Sequence, residues 1–303
     1  MVDAYTFLFA SGRTSTLHNS MANDMQMRAE SMLLILLLFF IMAGAAGEAR
    51  EVTVTVSGSS TVMPMAELAA EEFNMLQNNY KVNVKSGGSG VGIVDVAEGR
   101  SDIAMSSREV KLAEKQRYET PKVRFIEQPV GFDAICMVVS ADVYDDGVRT
   151  LTKDQVRRIY AGDITNWREL GGKNMEIFAI GRRAGSGTRD TFNEIIMGSK
   201  EAETPAVSYD AGESSEVKFS TQRSHNAIGY MGYSFVMTGD TRVISLDGIY
   251  PSIESIKGGA YPLARKLYFV TLGRPSPGAK AFIDYILSPE GQKIAIDNGF
   301  IPI

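Results

Sequence analysis

Residues 175–198 read MEIFAIGRRAGSGTRDTFNEIIMG. The apolar run MEIFAI is strand-like and stops at Gly181. Phe192, Ile195 and Ile196 then supply one apolar face and Gly198 a stop, the pattern of a helix. Between them lies a Gly/Ser/Thr loop with Arg182 and Arg183 before it and Arg189 after it. A strand that feeds a helix through such a loop is a unit of an α/β fold. Its chemistry has three candidate uses: a nucleophilic serine, a nucleotide-phosphate loop, or a cradle for an anion.

The same unit recurs towards the N-terminus. EVTVTVSG alternates Val52, Val54 and Val56 with threonines, a half-buried strand, and a helix opened by Pro64 follows with Met65, Leu68, Ala69, Phe73 and Leu76 on one face. YKVNVKS is a second strand, followed by the loop SGGSGVG and a short helix; DIAMSS is a third. LAEKQRY predicts a helix, and VRFIEQPV and FDAICMVVS two further strands. LTKDQVRRIYAG predicts a helix with a Thr152/Gln155 capping box and a Gly162 stop. NAIGYMGYSF and LYFVTLG predict two later strands, and Ser276-Pro277 and Ser288-Pro289 two C-terminal helix starts. The alternation of strands and helices argues an α/β sheet with parallel strands.

Three loops therefore share one composition and one place: SGSST (57–61), SGGSG (86–90) and GSGT (185–188) each follow a strand and precede a helix. A single such loop is most often a capped turn. Three of them, at the strand ends where open α/β sheets collect ligands, form a pattern. Glycine lets the backbone come close, hydroxyls and free N–H groups donate, and convergent loops of this kind suit a tetrahedral oxyanion. Arg182, just before GSGT, can fork two oxygens of that anion. Asp102 precedes the third strand, where it is either a solvated turn residue or an acceptor for a proton on the anion. Hydrogen phosphate carries such a proton and sulfate does not.

The catalytic alternatives fit less well. A nucleophile elbow needs G-x-S-x-G, and neither Ser186 nor Ser89 has that frame. A nucleotide loop needs Gly-Lys followed by Ser or Thr, whereas Gly172-Lys173 precedes Asn174. Of the two histidines, His18 and His225, only His225 lies in the mature region, where a surface role suits it; no histidine metal site is expected. The lone cysteine, Cys136, lies in the apolar run AICMVV and reads as a buried hydrophobe.

Composition is that of a globular chain long enough for two cores: 303 residues, 44% hydrophobic, 22% charged, net charge −5. No run of basic residues suggests nucleic-acid binding. Leu33–Ala46 is apolar or small throughout and ends near Ala43-Gly44-Ala45, a pattern suited to a secretory signal or an uncleaved anchor. Translation is expected to start at Met25 or Met27, leaving the earlier residues as an extension. The mature part, from about residue 47, is then expected outside the cytoplasm, with no lipid-bearing cysteine.

The motifs GSSTVMP (58–64), SGGSGVGI (86–93), SDIAMSSRE (101–109), LTKDQVRRIYAGDITNW (151–167), GRRAGSGTRDTF (181–192), AIGYMGY (227–233) and YPLARKLYF (261–269), in this order, resemble the phosphate-binding proteins of ABC-type phosphate importers. The resemblance spans about residues 51–303. It implies a type II periplasmic-binding fold, two α/β lobes with the ligand in the cleft between them and two chain crossings, near 129–132 and 262–265. The implied division is an N-terminal extension and signal over 1–46, lobe 1 over 50–130 plus 265–303, and lobe 2 over 131–264. The implied phosphate ligands are Ser60 and Thr61, Ser89 (or Ser86) from the second loop, Asp102 as proton acceptor, and Arg182, Ser186, Gly187 and Thr188. Arg183 and Arg189 fall to solvated or structural roles. Ala184 stands where some relatives carry an acidic residue that orients the arginine. The resemblance implies a monomeric solute receptor without cofactor, metal or enzymatic activity, delivering phosphate to membrane permease subunits. The alternatives are a receptor or sensor for another tetrahedral oxyanion, and a secreted phosphoesterase with a serine nucleophile.

Overall fold

The computed structural model describes residues 51–303 except residue 238, together with Met27, Arg28, Ser31 and Met32. The expected signal and start site lie almost wholly outside the described residues. Eleven strands are described in chain order: β1 Val52–Gly58, β2 Tyr80–Ser86, β3 Ile103–Ser106, β4 Phe125–Val139, β5 Thr150–Leu151, β6 Phe178–Arg182, β7 Val207–Ala211, β8 Ala227–Gly232, β9 Arg242–Val243, β10 Ser245–Leu246 and β11 Ala264–Leu272. Most join one sheet in the order β2-β1-β3-β11-β4-β8-β6-β7. β1 runs parallel to β2 and β3, and β6 parallel to β7 and β8. β4 and β11 run antiparallel to each other and to their neighbours, so the sheet is mixed where the sequence predicts a parallel one.

The sheet carries two large apolar cores and a smaller third cluster, which gathers Ile93, Val96, Ala104, Val110, Phe125, Tyr268 and Val270. The two large ones define the lobes. One gathers Val54, Val56, Met65, Phe73, Val130, Leu267, Phe269 and Phe282. The other gathers Ile135 to Val139, Tyr160, Trp167, Ile180, Phe192, Tyr230 and Leu263. Among the described strands, β4 and β11 run through both large cores. β4 leaves the first core at Val130 and enters the second at Ala134, and β11 makes the return passage between Ala264, packed on the second core, and Leu267 in the first. The backbone of Ile301 joins them, exchanging hydrogen bonds with Phe132. VRFIEQPV and FDAICMVVS, read from the sequence as two strands, are thus the two halves of one long strand, continuous through Gly131.

Local signals account for most element ends. The helix Met63–Leu76 carries its proline at the first turn. Thr152 and Gln155 close a reciprocal capping box on the helix Lys153–Ala161, and Gly162 ends it at φ 89°. Ser276 and Ser288 cap the helices Pro277–Leu287 and Pro289–Asp297. The segment YSF, read as the end of a strand, belongs instead to the helical turn Tyr233–Val236. The strand β7 and the helix Ser214–Arg223 carry no periodicity strong enough to predict. Among the described residues no helix is long and apolar enough to cross a membrane.

Candidate functional site: a hydroxyl cluster between the lobes

The parallel strands β1, β2 and β3 of one lobe and β6 and β7 of the other end at one place, and their C-terminal loops interlock. Gly90 N–H donates to the Gly185 carbonyl at 2.9 Å, joining the second and third glycine loops across the cleft. Gly187 sits against Ser89 and Ser107: a β-carbon there would stand 2.3 Å from Ser89 Oγ and 2.7 Å from Ser107 Oγ. Only glycine permits that approach. Beneath the loop, Phe192 stacks on Tyr230 at 4.0 Å between centroids and meets Tyr160 edge-on, which anchors the far end of the helix Gly187–Phe192.

Hydroxyls dominate the cluster. Thr61 and Thr188, from opposite lobes, lie 3.0 Å apart through their Oγ1 atoms, with Ser214 Oγ at 3.5 Å from Thr61. Ser89 Oγ accepts from Ser107 N–H at 3.1 Å and is fully buried. Ser186 caps its helix by accepting from Arg189 N–H, which leaves the hydroxyl proton to donate elsewhere. Of the two second-loop candidates, Ser89 is the one that meets Gly187. Ser86 Oγ is buried without a partner beside a neighbouring cavity of about 310 Å³ that Gly88, Arg183, Ser186 and Glu213 also line.

Arg182 is the electrostatic centre. It is 1% exposed, yet all its hydrogen bonds go to neutral oxygens: the carbonyls of Ala211 and Gly212, Ser214 Oγ at 3.0 Å and Ser60 Oγ at 3.1 Å. Burial pulls its guanidinium down to about 10, and the charge of nearby Arg265 pulls the same way. Glu213 and Glu216 act on it only from beyond hydrogen-bond contact. A buried cation with no carboxylate in contact is costly, and an incoming anion relieves that cost. Arg183 lines the neighbouring cavity, while Arg189 Nη1 donates to the Arg182 carbonyl, a structural role.

Asp102 stands outside this cluster, which corrects its expected place among the ligands. It precedes β3, at the end opposite the loops, and accepts from Thr55 N–H at 2.8 Å and Thr55 Oγ1 at 2.9 Å. Ser106, at the site end of β3, is four residues further on, roughly 13 Å along an extended strand. The carboxylate that does reach the cluster is Asp133 on β4. It is 1% exposed and holds Arg265 of β11 through Nε at 3.0 Å and Nη2 at 2.7 Å. Sequence reasoning missed Asp133, Arg265, Ser107 and Ser214 as site residues. Ser107 and Arg265 lie inside SDIAMSSRE and YPLARKLYF, so a signal was present for both.

Among the described residues, no group of three or more His, Cys, Asp or Glu side chains is placed to hold a metal ion. Cys136 is fully buried, and burial pushes its thiol up. His225 is exposed on the surface, 2.7 Å from Asp142.

Two lobes on one mixed sheet, crossed by two strands and meeting at a buried, hydroxyl-lined, cationic cluster, define a type II periplasmic-binding-protein fold built to hold a small anion. Residues 43–290 match the PBP superfamily domain. The chain belongs to that superfamily and, within it, to the family of the phosphate-binding proteins PstS. It is 31% identical to the phosphate-binding protein PstS of Bacillus subtilis, over 91% of this chain and 95% of that protein. Among solved structures it resembles the phosphate-bound substrate-binding protein of a Clostridium perfringens phosphate ABC transporter, with 33% identity and a TM-score of 0.73 over 83% of this chain and 99% of that one. It also resembles an ABC-type phosphate transport receptor from Vibrio cholerae, with 26% identity and a TM-score of 0.67 over 82% of this chain and all (100%) of that one.

Proposed function

We infer that this chain captures inorganic phosphate between its lobes outside the cytoplasm and delivers it to the membrane permease subunits of an ABC importer. One observation carries the reading: Arg182 is buried among hydroxyls of both lobes with only neutral partners, so a small anion is the missing counter-charge. The proposed ligands are Ser60, Thr61, Ser89, Arg182, Ser186, Gly187 and Thr188. Ser107 and Ser214 join them by position. The identity of the anion follows from the phosphate-binding relatives. The lobe boundaries taken here are 50–130 plus 265–303 and 131–264, supported by the two cores. Residues 1–46 serve as extension and export signal, either cleaved or kept as an anchor.

The receptor works as a monomer without cofactor and does no chemistry on phosphate. Among the described residues no imidazole is near the hydroxyls to act as a base, since His225 is exposed on the protein surface beside Asp142. Binding closes the lobes, because ligands come from both sides of a hinge formed by β4 and β11. The test is a calorimetric titration. One phosphate per chain is expected to bind with micromolar or tighter Kd, and sulfate at least ~100-fold more weakly, about 2.7 kcal/mol. Absence of phosphate binding would overturn the reading. Equal affinity for sulfate would make the site a general oxyanion receptor. Turnover of a chromogenic phosphate ester that is lost in Ser186→Ala would favour a phosphoesterase.

A further inference from the structure

Asp133 and Arg265 face each other in register on the two strands that join the lobes, β4 and β11. They form a buried ion pair at the hinge itself, with side chains 1% and 4% exposed. Asp133 is held from a further direction as well: its Oδ1 accepts from Tyr233 N–H at 2.8 Å, at the end of β8. Thr61 packs beside it, because a β-carbon on Gly232 would touch both Asp133 Oδ2 and Thr61 Cγ2 at 3.0 Å.

The rest of the Arg265 fork reaches across both lobes. Nη1 donates to Thr188 Oγ1 at 3.0 Å, and Nη2 approaches Thr61 Oγ1 at 3.5 Å. A guanidinium can only donate, and a hydroxyl has one proton and two acceptor sites. Each threonine oxygen that accepts from Arg265 therefore keeps its own proton for another acceptor. Without an anion, one such proton is shared along the 3.0 Å Thr61–Thr188 contact. With an anion in the cluster, both protons can turn towards it. Accepting from a cation also polarises a hydroxyl and makes it a stronger donor.

We propose that the hinge pair Asp133–Arg265 is a positioning device for the anion site: it sets Thr61 and Thr188, one from each lobe, as paired donors, and so ties anion binding to lobe closure. This rests on the phosphate reading given above. Asp133 has two effects in this arrangement. It fixes the plane of the fork, and it neutralises Arg265, leaving Arg182 as the charge that the anion meets.

The test is a double-mutant cycle read by phosphate titration of the full-length protein. Arg265→Lys keeps the charge and loses the fork; Thr188→Val keeps the shape and loses the hydroxyl. Each single variant is expected to weaken phosphate binding about tenfold or more. The double variant is expected to lose little beyond the weaker-binding single, because both changes remove one linked interaction. Asp133→Asn gives a second reading. Freeing the fork should weaken phosphate binding, whereas a simple gain of positive charge would tighten it. The proposal is overturned if Arg265→Lys binds within twofold of wild type, if the two losses multiply in the double variant, or if Asp133→Asn binds more tightly. Failure of the wild type to bind phosphate would overturn the functional reading along with it. Normal wild-type binding with any of the three contrary results would overturn the hinge role alone.

Discussion

Arg108 and Arg182 are both buried arginines at the seam between the lobes, and their surroundings differ in one respect. Arg108 meets carboxylates: Nε reaches Asp190 of the opposite lobe at 2.7 Å, while Nη1 and Nη2 reach Glu114 at 2.9 and 2.8 Å. Lys111 adds a second cation to Asp190 at 3.0 Å. Arg182 meets only carbonyls and hydroxyls. Arg108 is therefore a finished contact that holds the closed lobes together. Arg182 is unfinished, and its charge remains available to a ligand. The same residue type at the same seam serves closure in one place and recognition in the other, and the counter-charge decides which.

The contrast is broken most directly at Arg182. Arg182→Met is expected to weaken phosphate binding by about 3–4 kcal/mol, several hundred-fold, the scale for truncating a buried charged hydrogen-bonding group. Its unliganded melting temperature is expected to stay level or rise, because a desolvated charge without a partner is removed. Arg108→Met should do the reverse: a loss of about 3 kcal/mol in denaturant unfolding, since Asp190 and Glu114 lose their partner, with less than a tenfold change in phosphate Kd. Raising the pH sharpens the comparison. Free Arg182 loses its proton near pH 10 and the bound form keeps it, so phosphate affinity is expected to hold below that point and fall about tenfold per unit above it. Titrations at pH 8, 10 and 11 in a noncoordinating buffer would show the break. Gly187→Ala wedges a methyl between the lobes against Ser89 and Ser107, and about a tenfold rise in Kd is expected. The smallest effect is expected at Asp102→Asn: phosphate and sulfate affinities within twofold of wild type and a stability loss of about 1 kcal/mol, from its bonds to Thr55.

The loops that meet at the candidate site were legible in the sequence because their signals are local. Gly and hydroxyl residues between a strand and a helix announce a turn, a cap and an exposed backbone within a few residues of each other; the choice of Ser60, Thr61, Ser89, Arg182, Ser186, Gly187 and Thr188 within them came from the resemblance to phosphate-binding proteins. Asp102 was misplaced because nearness in sequence to SDIAMSS says nothing about which end of the strand faces the cleft. The parallel direction of β1 and β3 puts Ser106 and Ser107 at the site and Asp102 at the far end. Asp133 and Arg265 were hidden for another reason. Each sits inside a strand, and their meeting depends on the register of β4 against β11, a pairing 132 residues apart in the chain. Ser214 was missed because its helix has mostly polar faces and follows a strand, β7, that is largely exposed. The mixed sheet has the same origin, since a strand running through both lobes looks locally like two shorter ones.

The account turns on Arg182 being completed by the anion, and the phosphate-induced shift in melting temperature tests that most directly. At a phosphate concentration near a thousand times Kd, ligand binding stabilises the wild type by about 4 kcal/mol, a rise of roughly 8–16 °C for a chain of this size. Arg108→Met is expected to melt lower than wild type and to keep that rise. Arg182→Met is expected to keep only about 0.5–1.2 kcal/mol of that stabilisation, a rise of a few degrees at most, while melting no lower than wild type in the absence of phosphate. A full phosphate shift in Arg182→Met would contradict the account.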